Sequence, residues 1–415
     1  MSYLSYLEKL LDGAEVDFKT LWEVTTWDKK FKAVDRHKQP NVIKYHYFLS
    51  KEIKPLVVEG GNVKLLTTNI SDLYTTEELA GDKLAEGEVV GIPWGGNPVV
   101  HYYKGKFLTS DNRLATSNDV SYLNNQYLYY FMLSELELIK SFYRGSGIKH
   151  PSMSSVFEMQ IPIPPLKVQK EIVRILDAFT SLTAELTAEL TMRKKQYNYY
   201  RNKLLTFKDG EVPHLPMGQY DVGTFIRGSS LQKKDFTETG VGCIHYGQVY
   251  TYYGTCAHKT KSFVSEEFAQ KARKAQTGDL IIATTSENDE DVCKAVVWLG
   301  EGEIAISGDA CFYKHNLNPK YVAYFFQTEQ FEEQKRQYIT GAKVKRVNAD
   351  NLAKILIPVP PLAEQSRIVS ILDKFDALTN SISEGLPREI SLRQKQYEYY
   401  RDQLLSFPKS LKVDT

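Results

Sequence analysis

Two glycine-led basic stretches hold the residue types that meet nucleic acid: Arg144-Gly-Ser-Gly-Ile-Lys149-His150 and Gly341-Ala-Lys343-Val-Lys345-Arg346. Glycine allows close backbone approach, and Lys or Arg can meet a phosphate or the acceptor edge of guanine. Each stretch also has the makeup of an ordinary exposed turn carrying cations. Two further turns lie upstream at similar places, Trp94-Gly-Gly-Asn97 and Thr284-Thr-Ser286-Glu-Asn288. Trp94, Asn97, Thr285 and Ser286 could read bases from such turns, and a plain loop would look the same.

Catalysis finds no support in the sequence. A DNA methyltransferase needs a glycine-rich cofactor turn and an Asn/Asp-Pro-Pro-aromatic tetrapeptide. The Asn-Pro steps, Asn97-Pro98 and Asn318-Pro319, do not continue that way. No G-x-G-x-x-G opens a helix, and no Walker loop is present. Glu333-Gln-Lys335 is nuclease-like but lies in an apparent helix without an upstream strand carboxylate. No residue is therefore assigned a catalytic role. Cys243-Ile-His245 and Cys256-Ala-His258 repeat a C-x-H pattern that could bind zinc, but this is not zinc-finger spacing. Small buried cysteines are common in strands, so no metal ligand is assigned either.

Net charge is +1 over 415 residues. Residues 1–160 carry 18 basic and 20 acidic side chains, 161–208 carry 9 and 4, 209–356 carry 17 and 19, and 357–415 carry 8 and 8. A protein that grips DNA alone usually shows a clear basic excess. If this chain binds DNA, local patches must do so, and a partner should supply much of the affinity. The N-terminus lacks a signal-peptide pattern, and no apolar run approaches the ~18 residues of a membrane span. A cytoplasmic protein with no membrane partner is expected.

The basic stretches sit just ahead of a duplicated block. Ile161-Pro-Ile-Pro-Pro-Leu166 returns as Ile357-Pro-Val-Pro-Pro-Leu362, and Lys195-Gln196-Tyr197 with Tyr199-Tyr200-Arg201 returns as Lys395-Gln396-Tyr397 with Tyr399-Tyr400-Arg401. The offset grows from 196 to 200, so the second copy holds four extra residues. In each copy two prolines close an extended entry, and a helix is expected just after them. Apolar residues then recur at three- and four-residue steps: Ile172, Leu176, Phe179, Leu182, Leu186, Leu190, Tyr197, Tyr200 and Leu204, with Ile368, Leu372, Phe375, Leu378, Ile382, Leu386, Ile390, Tyr397, Tyr400 and Leu404 in the second copy. That is a coiled-coil seam, and the obvious facing helix is the other copy, paired antiparallel. Glu384-Gly385-Leu386-Pro387 predicts a break in the second helix, read as a tolerated kink rather than a hinge.

Tyr6-Leu-Glu-Lys-Leu-Leu-Asp-Gly13 echoes Tyr200-Arg-Asn-Lys-Leu-Leu205 with Asp209-Gly210, so the repeat is circular and a pseudo-two-fold pair is expected. Between the blocks, short runs rich in Val, Ile, Tyr, Thr and Gly read as strands, followed by short helices near 122–140 and 319–337. The class is α+β. The expected order is a globular domain (1–160), a helical spacer (161–208), a second globular domain (209–356), a second spacer (357–407) and a tail (408–415).

This arrangement resembles the specificity (S) subunit of type I restriction–modification systems. The resemblance covers essentially the whole chain and is carried by the two I-P-[IV]-P-P-L blocks and by Gln196-Tyr-Asn-Tyr-Tyr-Arg201 with its copy. Thr183-Ala-Glu-Leu-Thr-Ala-Glu-Leu190 is a doubled unit like that of the IC subfamily. The resemblance implies two target recognition domains alternating with two conserved helices. Each domain would read half of a bipartite asymmetric target in double-stranded DNA, and the number of Thr-Ala-Glu-Leu units would set the gap. It implies two adenine-modifying methyltransferase (M) subunits that use S-adenosylmethionine, and restriction (R) subunits that use ATP and Mg, with no cofactor in this chain. The alternatives are a methylation-only orphan subunit and a coiled-coil adaptor that no longer reads DNA.

Overall fold

Residues 4–208, 210–381 and 383–407 are described by the structure, a computed structural model. Ile382 of the expected seam and the expected tail at 408–415 lie outside them, as does Asp209 in the circular echo. The first copy of the block is one unbroken helix, Leu166–Leu205, of 40 residues. It begins directly after Pro164-Pro165, whose rings cannot continue a helix interior. The second copy is two helices, Leu362–Asn380 and Gly385–Leu405. The break expected around Glu384-Gly385-Leu386-Pro387 thus separates two helices, and is wider than a kink. Gly385 has φ +76°, and a Cβ there would lie 2.3 Å from the Ala377 carbonyl oxygen. Only glycine fits that turn without strain.

The chain forms two compact units, one from Met1–Ala184 with Leu392–Thr415 and the other from Glu185–Ser391. These units divide the helices rather than setting them apart. The first half of Leu166–Leu205 lies in the first unit and the second half in the second, while the distal pair runs the other way.

In the first unit a six-stranded sheet has the order Thr25–Trp27, Asn112–Ser117, Ala85–Pro93, His101–Thr109, Val63–Leu66, Tyr74–Thr75. The helix Asn125–Ser134 contributes Tyr127 and Phe131 to a core that also holds Ile172 and Leu176 of the central helix and Leu404 and Leu405 of the distal one. Leu7 joins the same core as Leu404 and Leu405, as the circular repeat requires. Phe179 stacks on Tyr400 with centroids 5.1 Å apart.

The second unit has a five-stranded sheet (Gly223–Arg227, Ala310–His315, Leu280–Ala283, Ala295–Trp298, Cys256–Ala257) and a four-stranded one (Ser262–Val264, Val241–Ile244, Ile304–Ile306, Lys274–Ala275). Ile368 and Leu372 share its core with Tyr321 and Phe325 of the helix Pro319–Phe325. Tyr197 and Tyr200 stack on Phe375, 6.2 and 5.6 Å between centroids.

The seam needs two corrections. Ile172, Leu176, Ile368 and Leu372 are fully buried in the cores of their own heads, so these positions dock helix on head as well as helix on helix. Leu182 is 37% exposed. The covered positions run Phe179, Thr183, Leu186, Leu190, Arg193, Tyr197, in alternating steps of four and three. That heptad rhythm leaves Leu182 one position off the stripe. Thr379, the copy of Thr183, is fully buried, and Leu378 beside it is half-buried.

The cysteines of the two C-x-H tripeptides fall in different sheets. Cys243 is on Val241–Ile244 and Cys256 on Cys256–Ala257. Burial pushes the Cys243 thiol up to about 12, so it stays protonated and packs as a small apolar side chain. Among the described residues no group of three His, Cys, Asp or Glu is placed to hold a metal ion. Among them, too, no helix is long and apolar enough to cross a membrane.

Candidate nucleic-acid interface

One hydrogen-bond skeleton recurs in both heads and fixes which residues are equivalent. Asn124 and Asn318 cap the helices Asn125–Ser134 and Pro319–Phe325. Tyr127 donates to the Pro162 carbonyl at 2.9 Å, and Tyr321 to the Pro358 carbonyl at 3.0 Å. Tyr130 donates to Asp177 and Tyr324 to Asp373, both at 2.6 Å. Gln169 accepts from the Asn124 amide at 2.9 Å and donates to the Pro164 carbonyl at 2.8 Å. Gln365 does the same with Asn318 and Pro360, both at 2.8 Å. Buried polar groups are satisfied by the same partners twice, which anchors each Pro-Pro entry against its head.

On this skeleton the basic stretches become equivalent hairpins. Arg144 pairs with His150 in the first head, and Thr340 with Arg346 in the second. Gly145 has φ +139° and Gly341 φ +94°, and a Cβ on Gly341 would sit 2.0 Å from the Val344 carbonyl oxygen. Each hairpin therefore turns on a glycine that no side chain can replace freely.

The upstream turns pack directly against these hairpins, a grouping that the sequence placed in parallel but not in contact. The Gly96 amide donates to the Lys149 carbonyl at 3.3 Å, and His150 Nδ1 lies 2.7 Å from the Trp94 carbonyl oxygen. In the second head Thr285–Ser286 pairs antiparallel with Lys345–Arg346. Arg144, Lys149, His150, Asn97, Lys343 and Arg346 are exposed, and Lys345 is half-buried beside Asp289, 3.1 Å away. Trp94 is half-buried. Thr285 and Ser286 are 7% and 3% exposed, so this strand supports the hairpin and keeps its own hydroxyls inside. The nuclease-like lysine is structural as well. Lys335 is fully buried and donates to the carbonyls of Asp289 and Val292 and to Glu332.

Three residues that sequence reading passed over complete these faces: Arg113, Arg227 and Asp309. Arg113 lies over the Trp94 ring at 4.2 Å and pairs with Asp111 at 3.0 Å. Beneath it Tyr47 donates to Asp28, whose carboxyl is pushed up to about 6, chiefly by burial. Arg227 is exposed and donates through Nε to the Gly308 carbonyl at 3.0 Å. The two faces share a frame and differ in chemistry: aromatic and cationic in the first head, a cleft between arginines in the second.

The chain matches the type I restriction modification DNA specificity domain over residues 54–192 and 218–392. The specificity subunit of the Escherichia coli type I restriction enzyme EcoR124I/EcoR124II is 35% identical across 99% of this chain and 98% of that protein. A putative type I specificity subunit of Haemophilus influenzae is 33% identical across 97% and 98%. In fold, the chain is similar to the type I S subunit of M. genitalium, with a TM-score of 0.57, 15% identity and coverage of 96% of this chain and 98% of that one. A chain from a study of complex assembly and conformational transition in the type I R-M system gives 0.53, 14%, 94% and 98%. The protein is a non-catalytic DNA-recognition component. It belongs to the specificity (S) subunits of type I restriction–modification systems.

Proposed function

We propose that each head binds double-stranded DNA through its paired hairpin and turn and reads one half of a bipartite, asymmetric target. One observation carries this reading: a single repeated skeleton presents, at the same place, two exposed basic hairpins of different sequence. A common frame suits a common phosphate backbone, and unlike side chains suit unlike base sequences. In this reading the helices set the gap and hold two M subunits, with R subunits joining for cleavage. S-adenosylmethionine would act in M, and ATP with Mg in R, in the cytoplasm. Near-neutral net charge fits a chain that binds DNA tightly only once such partners are assembled.

The faces are tested by Arg144→Gln combined with Lys149→Gln in the complex with M. If both cations meet phosphates, affinity falls by a similar factor for every sequence, and the slope of log affinity against log salt shrinks by about 2. An unchanged slope would place this hairpin away from DNA.

A further inference from the structure

We infer that Asp309 is a specificity-determining residue of the second head, its carboxylate accepting a hydrogen bond from the exocyclic amino group of a cytosine. This rests on the DNA-reading function proposed above and names one base contact within it. Two equivalent aspartates lie in unlike surroundings. The Trp94 amide donates to the Asp111 carbonyl at 2.8 Å, and the Thr284 amide to the Asp309 carbonyl at 3.0 Å, so the two occupy the same place in the skeleton. Two residues on, the first head has Arg113 and the second has Cys311.

That difference decides what each carboxylate does. Asp111 is exposed too, but its carboxylate is paired with Arg113, whose side chain is 4% exposed and lies over the Trp94 ring. Cys311 is 1% exposed and offers no cation. Among the described residues Asp309 has no ion pair, and the Thr285 hydroxyl is its donor at 3.4 Å. Where the first head is filled by tryptophan and arginine, the second has a cleft of about 330 Å³, lined by Arg227, Thr285, Asp309, Cys311, Arg346 and Asn348. Asp309 is exposed and shares this lining with both arginines.

An exposed carboxylate on a phosphate-gripping face repels the backbone unless a donor meets it. Ionised aspartate only accepts. The donors in the major groove are cytosine N4 and adenine N6. Adenine sets the N7 acceptor beside N6, so a carboxylate there would hold one oxygen against a lone pair. Guanine offers acceptors alone. Cytosine is the base whose edge suits Asp309, while Arg227 and Arg346 fit phosphates or the guanine acceptors of a neighbouring pair.

The test uses the complex with M and a DNA pool randomised over the second half-site, comparing the native chain with Asp309→Asn and Asp309→Ala. Selected sequences should show a cytosine preference that falls by about tenfold at one position in both variants. Asparagine, which donates as well as accepts, should shift that position towards adenine. The first half-site and the gap should stay as they are. Unchanged preference at every position would overturn the assignment. So would a uniform gain in affinity, which marks a carboxylate that merely repels phosphate, or a uniform loss, which marks a structural role. A native complex blind to the whole second half-site would instead overturn the DNA-reading function itself.

Discussion

Insertion of one further Thr-Ala-Glu-Leu unit after Leu190 is expected to lengthen the gap in the methylated target and leave both half-sequences unchanged. The doubled unit Thr183–Leu190 lies within the unbroken helix Leu166–Leu205, and the boundary between the compact units, at Ala184 and Glu185, falls inside it. Ala, Glu and Leu are strong helix formers, so four more residues extend the helix rather than breaking it. The extension is ~6 Å, close to two base-pair rises of ~3.4 Å. Ala184, Glu185, Thr187 and Ala188 are exposed and no residue of this stretch is fully buried, so the insertion disturbs little packing. Methylation mapping of the variant decides the matter. An unchanged gap would remove the ruler role, and altered half-sequences would mean that the heads are not the readers.

Leu372→Ala should destabilise the second unit by about 2–5 kcal/mol. Leu372 is fully buried where the helix Leu362–Asn380 meets the head, in the core that holds Tyr321 and Phe325. Truncation there leaves a cavity walled by aromatic side chains and a helix, which collapse poorly into it. Leu182→Ala is the matched control. At 37% exposure and off the heptad stripe, it should change stability by no more than about 0.5 kcal/mol. Equilibrium urea unfolding of both variants measures the contrast. Equal losses would contradict the corrected stripe and restore the seam read from spacing alone.

That contrast shows where the sequence was legible. The stripe is written twice, with prolines at its entry, and a helix beginning at Leu166 or Leu362 follows from spacing and ring chemistry. The interruption before Gly385 was equally readable, because glycine followed by proline has few other uses within a helix. The phase of the stripe was not. Leu182 is apolar and Thr183 is not, yet a 3.5-residue rhythm covers the threonine, and periodicity counted from residue type favours the leucine. Nor does a helical stripe say which surface covers it. Ile172 and Leu372 face their heads because Tyr127 and Tyr321 are hydrogen-bonded to the Pro-Pro entries, a tertiary fact.

The site was half legible for the same reason. Glycine-led basic turns stand out in one dimension, and the parallel between Asp111 and Asp309 could be drawn. The contact of Trp94 with His150, and the burial of Thr285 and Ser286, depend on a hairpin folding back over residues more than fifty positions away. Arg227 reaches the Asp309 cleft from a strand 82 residues earlier in the chain. One signal was available: Asp111-Asn-Arg113 against Asp309-Ala-Cys311 shows that a cation is lost beside an acid that is kept.

Whether this chain decides which DNA its complex modifies is read out by base-resolution adenine methylation of a genome. Cells would carry the cognate M subunit alone, or M with this chain. A split, asymmetric motif methylated on both strands is expected only when this chain is present. Methylation that is absent, or the same without the chain, would contradict it and leave a helical adaptor as the better description.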